Sequence, residues 1–303
     1  MTEIDVSSFD NCFARKCCNW QLKTTTLEFG RLPALMGIVN VTPDSFSDGG
    51  KFSCCQSAVD HALQLIDDGA SIIDIGGEST RPYSDPVTEK NELDRTVDVV
   101  QTLSEMTSVP ISIDTSKSKV AIECLSAGAE IINDVTGLEA DPLMAGVAVE
   151  TGAGVCAMHM QGTPRTMQDR PQYENVVEDI YDYLLNRRDS LTALGVPVSK
   201  ICLDPGIGFG KTHQHNIELI SKVGRFHNLD RPILVGHSRK GFLAKILGDR
   251  DRDRAVATAG VAIQLARSGI QVIRVHDVKT VAESIRSFDA VGGIDGQTMD
   301  LKS

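Results

Sequence analysis

At 303 residues the chain exceeds a typical single domain but suits a barrel of eight strand–helix units, which runs to about 250 residues. With 41% hydrophobic and only 5% aromatic residues, its core must be built from Val, Ile, Leu and Ala. A net charge of −11 excludes non-specific nucleic-acid and anionic-membrane binding, and no apolar run approaches the roughly 20 residues that span a bilayer.

The first thirty residues carry acids, amides and scattered apolar positions and do not read as a signal peptide. Within them WQLKTTTLEFG (20–30) predicts a short hairpin able to plug the bottom of a barrel, behind a mobile leading stretch. Residues 31–303 are then expected to form one catalytic barrel domain. The eight cysteines contain no CxxC, and Cys17–Cys18 and Cys54–Cys55 are adjacent pairs. They read as reduced thiols in a cytoplasmic protein. Cys156 and Cys202 fall in apolar runs, where a thiol acts as a small hydrophobe.

Eight short β-branched runs follow in chain order: LMGIVNV (35–41), SIIDI (71–75), PISIDT (110–115), EIIND (130–134), GVCAMH (154–159), ICLD (201–204), PILVGHS (232–238) and VIRVHD (272–277). They lack strict polar alternation, which suits strands covered on both faces. Five are preceded by a glycine (Gly69, Gly128, Gly152, Gly195, Gly269) placed to cap a preceding helix. Helical patterns fill the gaps: 58–67, 91–105, 118–126, 142–151, 176–193, 217–223, 254–267 and 278–288. Strict alternation implies a parallel sheet, and eight units imply closure into a (β/α)8 TIM barrel. The rival, a doubly wound open sheet, usually has fewer strands.

In such a barrel the active site lies at the carboxyl ends of the strands. Those ends carry Asn40, Asp74 with Glu78, Asp114, Asn133 with Asp134, His159, Asp204, Ser238 to Lys240, and Arg274 with His276. One polar strand end is an ordinary loop cap, but polar groups at all eight point to one shared site. Asp114, Asn133 and Asp204 suit the ring N–H and amino donors of a guanine-like or pterin edge. Arg274, His276 and Lys240 offer cations near the last strands, a frequent phosphate site. Asn40 offers the hard oxygen that Mg2+ accepts while keeping most of its waters.

Blander readings exist for single residues. Asp114 or Asp204 could cap the helix that follows, Asn133 could fix a turn, and Lys240 could be surface. His213 and His215 lie on different helix faces, so they do not read as a metal pair, and His61 and His227 read as surface. In DPGIGFGKT (204–212) Pro205 occupies the place of the first P-loop glycine and Lys211 that of the third dinucleotide-fingerprint glycine. A tight glycine turn remains, which lets a ligand approach the backbone.

Taken together, MGIVNVTPDSFSDGG (36–50), DIGGESTRP (74–82), SIDTSK, INDVTG, MHMQGTPRTMQ, LDPGIGFGK, GHSRKG and RVHDV resemble the dihydropteroate synthase family, in family order from about residue 32 to 290. The resemblance implies condensation of a dihydropterin pyrophosphate with p-aminobenzoate, with Mg2+ as cofactor and a homodimer built through outer helices. It implies a catalytic set of Asn40, Asp48, Asp114, Lys240, Arg274 and His276. Asp114, Asn133, Met158, Asp204, Phe209, Gly236 and Lys240 would bind the pterin. Asn40, Thr80, Arg274 and His276 would hold the pyrophosphate, and Phe46, Thr80, Arg81, Pro82, Ser238 and Gly241 the p-aminobenzoate. Two positions depart from the family pattern: Tyr83 where many members carry Gly, and Gly241 where members often carry Ser. Gly241 leaves only a backbone N–H for the p-aminobenzoate carboxylate. Rival readings are a corrinoid-pathway pterin methyltransferase, a Schiff-base aldolase using Lys240, and a silent pterin-binding homologue.

Overall fold

The computed structural model describes residues 17–41, 50–79 and 84–300, without the side chains of residues 50–54. The chain opens with a hairpin, β1 (Asn19–Gln21) paired antiparallel to β2 (Thr26–Glu28). Strand–helix alternation then begins with β3 (Ala34–Asn40), α1 (Gly50–Asp67), β4 (Ile72–Gly76) and α2 (Glu89–Met106). It continues through β5 (Ile111–Asp114), α3 (Ser118–Ser126), β6 (Ile131–Asp134) and α4 (Met144–Thr151). The second half comprises β7 (Gly154–Met158), α5 (Val176–Ala193), β8 (Ile201–Asp204) and α6 (His213–Ser221). Then come β9 (Leu234–Gly236), α7 (Gly241–Leu247), α8 (Ala255–Arg267), β10 (Val272–Val275) and α9 (Val278–Ala290). The five handover glycines all take positive φ, as their position at helix ends predicts.

The eight parallel strands hydrogen-bond in the order β8-β7-β6-β5-β4-β3-β10-β9. Closure between β8 and β9 rests on a Leu203–Ile233 bridge, with Leu203 N–H donating to Pro232 C=O at 3.0 Å. The fold is the expected (β/α)8 barrel. Period-two alternation then separates two cores. Leu35, Val39, Ile73, Ile75, Ile113, Ile132, Val155, Leu203, Val235 and Ile273 face outward and pack with the helices. Met36, Ile72, Ile131, Cys156, Cys202, Leu234 and Val272 face inward, and Trp20 and Leu22 of the hairpin pack onto them where the strands begin. The hairpin plugs that end, and Trp20 Nε1–H donates to Lys200 C=O at 2.8 Å.

Four details differ from the sequence expectation, the first being that helix α1 begins at Gly50, eight residues ahead of the predicted 58. Helix α6 begins at His213, four residues ahead of the predicted 217, because Thr212 and His215 form a reciprocal capping box with histidine in the usual Glu/Gln position. The β9 unit is followed by a short additional helix, α7, before α8. His227 is buried at 2% exposure and bonds Ser268 C=O at 2.8 Å, so it is a core residue and not a surface one. Its 3-10 segment, Val223–Leu229, turns it inward. The expectation of a mobile leading stretch falls on residues outside those described.

Candidate active site at the barrel mouth

The same alternation that buries Met36 and Ile72 at the bottom brings polar residues inward at the top. Strand register places Asn40 beside Gly76, Gly76 beside Asp114, and Asp114 beside Asn133. Met158 pairs with Asp204 and Gly236 with Arg274. Asp114, Asn133, Met158 and Asp204 are all buried within the mouth.

Arg274 organises one side of it. Its Nε–H donates to Asp74 Oδ2 at 2.6 Å and its Nη2–H to Asp114 Oδ2 at 2.8 Å. Asn133 Nδ2–H donates to the same Asp74 oxygen at 3.1 Å. Burial pushes the Asp114 carboxyl up, to about 7, against the pull of Arg274 and with added repulsion from Asp74 and Asp134. Burial also raises Asp204, opposed by the Gly206 N–H that reaches its Oδ1 at 2.7 Å.

Lys240 forms the other side. Its Nζ donates to Ile207 C=O and lies 4.3 Å from the Phe209 ring centroid, a cation–π distance. Burial lowers it to about 7, against the pull of Asp204 and Asp114. At Gly236 a Cβ would meet the Arg274 side chain at 3.7 Å, an ordinary van der Waals contact, so the position lies directly beside that cation. Gly206 has φ of +69°, and a Cβ there would overlap His159 C=O at 1.9 Å, so only glycine lets β8 turn this tightly over β7.

Nine residues singled out from the sequence therefore meet or neighbour one another at the mouth: Asn40, Asp114, Asn133, Met158, Asp204, Phe209, Gly236, Lys240 and Arg274. Ser238 and His276 form a pair beside them, with the His276 N–H at 3.3 Å and Nδ1 at 3.0 Å from Ser238 Oγ. Gly241 is exposed at the start of α7. Phe46, Asp48, Thr80, Arg81, Pro82 and Tyr83 lie outside the described residues.

Two further residues belong here. Asp74 is wholly buried and holds both Arg274 and Asn133. Lys211 is also buried, with Nζ against His159 Nδ1 at 3.0 Å and donating to Phe209 C=O at 2.8 Å. Burial drives the Lys211 amine well below its ordinary pKa and keeps the His159 ring neutral. Through these contacts Lys211 clamps the glycine turn to β7.

Residues 36–276 match the family described as pterin binding enzyme. The dihydropteroate synthase of Escherichia coli K12 is 43% identical over 258 residues, covering 85% of this chain and 91% of that protein. The dihydropteroate synthase of Bacillus subtilis is 40% identical, covering 90% and 94%. Among solved structures, Yersinia pestis dihydropteroate synthase in a sulfonamide drug complex superposes with a TM-score of 0.84 at 41% identity, covering 90% of this chain and 98% of that one. The Xanthomonas albilineans enzyme with 7,8-dihydropteroate gives 0.81 at 33% identity, covering 90% and 98%. With its barrel, its motif order and its acid–amide–cation mouth, this chain belongs to the pterin-binding enzyme family, among the dihydropteroate synthases.

Proposed function

We infer that the chain condenses 6-hydroxymethyl-7,8-dihydropterin pyrophosphate with p-aminobenzoate, giving 7,8-dihydropteroate and pyrophosphate. The observation that carries this reading is the convergence of Asp114, Asn133 and Asp204 with Arg274 and Lys240 at one mouth. The carboxylates and the amide accept and donate along a pterin edge, and Met158, Phe209 and Gly236 line the ring. Lys240 meets the pterin carbonyl side. Arg274 and His276 hold the diphosphate.

In the reaction the methylene C–O bond breaks and its electron pair leaves with pyrophosphate. The p-aminobenzoate nitrogen forms the C–N bond and then releases a proton. Asp114, Asp204 and the electron-rich ring stabilise positive charge at the methylene, while Arg274 and His276 stabilise the departing anion. A neutral arylamine is already a nucleophile, so the site needs no strong base. Ser238 and the Gly241 N–H are assigned to the p-aminobenzoate side. Thr80, Arg81, Pro82, Phe46 and Asp48 remain assigned there by family resemblance alone.

The residues present fit Mg2+ brought in with the diphosphate. A Cβ at Gly76 would sit 3.8 Å from Asn40 Oδ1, so glycine leaves that hard oxygen uncrowded, whereas Asp114 Oδ2 is already held by Arg274. Among the described residues no cluster of three His, Cys, Asp or Glu could hold a metal alone. That agrees with an ion whose other ligands are phosphate oxygens and water. When bound, Mg2+ supplies charge neutralisation to the leaving diphosphate, and Asn40 would hold it.

We propose a homodimer through the outer helices, where Val256 of α8 is 81% exposed and Ile246 of α7 55%. No helix among the described residues is long and apolar enough to cross a membrane; the assignment to the cytoplasm rests on eight cysteines that contain no CxxC and read as reduced thiols.

The test is pyrophosphate release from the pterin pyrophosphate with Mg2+, with and without p-aminobenzoate. Release that depends on p-aminobenzoate, with dihydropteroate formed, is the expected result. Tight pterin binding without turnover would move the chain to a silent homologue.

A further inference from the structure

Ser238 and Lys240 reach the mouth on a four-residue turn, His237 to Lys240, closed by the Lys240 N–H donating to His237 C=O at 3.3 Å. The residue between them, Arg239, has φ of +57°. That is the second central position of the turn, where a positive φ normally selects Gly or Asn. A side chain as large as arginine stays in this conformation only where its surroundings over-determine it.

The restraint comes from one face of α8. The Arg239 N–H donates to Thr258 Oγ1 at 3.3 Å, and the Arg239 C=O accepts from Arg254 Nη1 at 2.7 Å. Arg254 and Thr258 stand one helical turn apart, and Arg254 Nη2 is tied back to Arg250 C=O at 2.9 Å. The residue before the turn is held by the same helix: His237, fully buried, meets Thr258 C=O through Nε2 at 2.9 Å. A carbonyl only accepts, so Nε2 carries the proton. Burial pushes this histidine down to about 4, which keeps the ring neutral. Thr258 therefore contacts the turn twice, through its hydroxyl and through its backbone oxygen.

We propose that Thr258 and Arg254 are positioning residues for the transfer reaction: they pin the two peptide groups of Arg239 from the outer helix and so fix where Ser238 and Lys240 sit. The role rests on reading those two residues as substrate-binding groups. It extends the functional unit from the mouth to a helix whose opposite face is exposed at Val256 and Gly260.

A double-mutant cycle tests it. Thr258→Val keeps the volume and the backbone oxygen but loses the acceptor for Arg239. KM for p-aminobenzoate should rise about fivefold with kcat changed less than about twofold, the scale of one neutral hydrogen bond. Thr258→Ser should restore the parent value. Arg239→Gly removes the steric need for the pin, so adding Thr258→Val to it should change KM by less than about twofold. An active parent in which the two effects multiply independently overturns the positioning role. So does a Thr258→Val variant that only melts earlier, with KM unchanged. A parent that turns nothing over would overturn the transferase reading, and this role with it.

Discussion

Asp74 Oδ2 and Arg274 Nε meet at 2.6 Å across the barrel mouth, with the Asp74 carboxylate wholly buried and the guanidinium one-fifth exposed. Burial works against the charged guanidinium, but Asp74 and Asp114 outweigh it and hold its pKa above the ordinary value. Asp74 also accepts from Asn133, so one carboxylate oxygen orients a cation and an amide that both face the ligand. Among the described residues its Oδ1 has no hydrogen-bond partner, so the contacts it makes to Arg274 and Asn133 both run through Oδ2.

Asp74→Asn should therefore damage turnover more than any ordinary loss of a hydrogen bond. Removing one partner of a buried pair costs about 3–5 kcal/mol. Expressed in the transition state, even the lower end lowers kcat/KM by roughly 100-fold. Steady-state kinetics with the pterin pyrophosphate, beside a thermal scan to confirm folding, checks this. A folded variant within about threefold of the parent would show that Asp74 does not set the geometry of Arg274.

Asp204 has one oxygen committed to the Gly206 N–H, leaving the other for a ligand. Asp204→Asn keeps the shape and removes the charge. A charge-assisted bond contributes about 1.5–3 kcal/mol, so pterin affinity should fall roughly 10- to 100-fold. Calorimetric titration with the pterin pyrophosphate measures it, and near-normal affinity would sink the pterin assignment.

Much of this mouth was legible because its residues end β-branched runs, and strand parity alone sends Asp114, Asn133 and Asp204 inward. What sequence could not supply was partnership. Asp74 stands among the polar strand ends, yet nothing near it in sequence names Arg274, 200 positions away, as its counterpart. Lys211 reads as part of a failed phosphate motif because its burial depends on β7 packing beside β8. His227 reads as surface for the same reason: the Ser268 carbonyl that satisfies it arrives from the end of α8, 41 positions on. The start of α6 was hidden by a capping box that uses His215 where Glu or Gln is usual.

The two perturbed groups flanking the site leave opposite marks on stability. Asp114 lies at about 7 in the fold against an ordinary 3.8, so the folded chain keeps a proton that the unfolded chain releases. This contribution makes the unfolding free energy fall as pH rises from about 4 to about 7. Lys240 lies at about 7 against an ordinary 10.5, so above neutrality the unfolded chain holds the extra proton. Its contribution makes stability rise from about pH 7 to pH 10. Urea titrations at a series of pH values should show Asp114→Asn losing the falling limb and Lys240→Met losing the rising one. Difference curves flat across both windows would refute these shifts.

The hairpin gives the opposite kind of prediction, stability without chemistry. Trp20 is fully buried against the inward residues at the start of the strands, while the ligand groups occupy the far ends of those strands. Trp20→Ala removes that packing and the bond to Lys200 C=O, a change that typically costs about 3–5 kcal/mol. For a domain of this size the midpoint of thermal unfolding should fall by roughly 5–15 °C. Below that midpoint, kcat and both KM values per folded molecule should stay within about twofold of the parent, because among the described residues no mouth side chain hydrogen-bonds to Trp20 or Leu22. Loss of turnover at an unchanged midpoint would mean that the plug shapes the mouth through the barrel interior. Loss of stability alone would mean that the barrel's two ends are energetically separable.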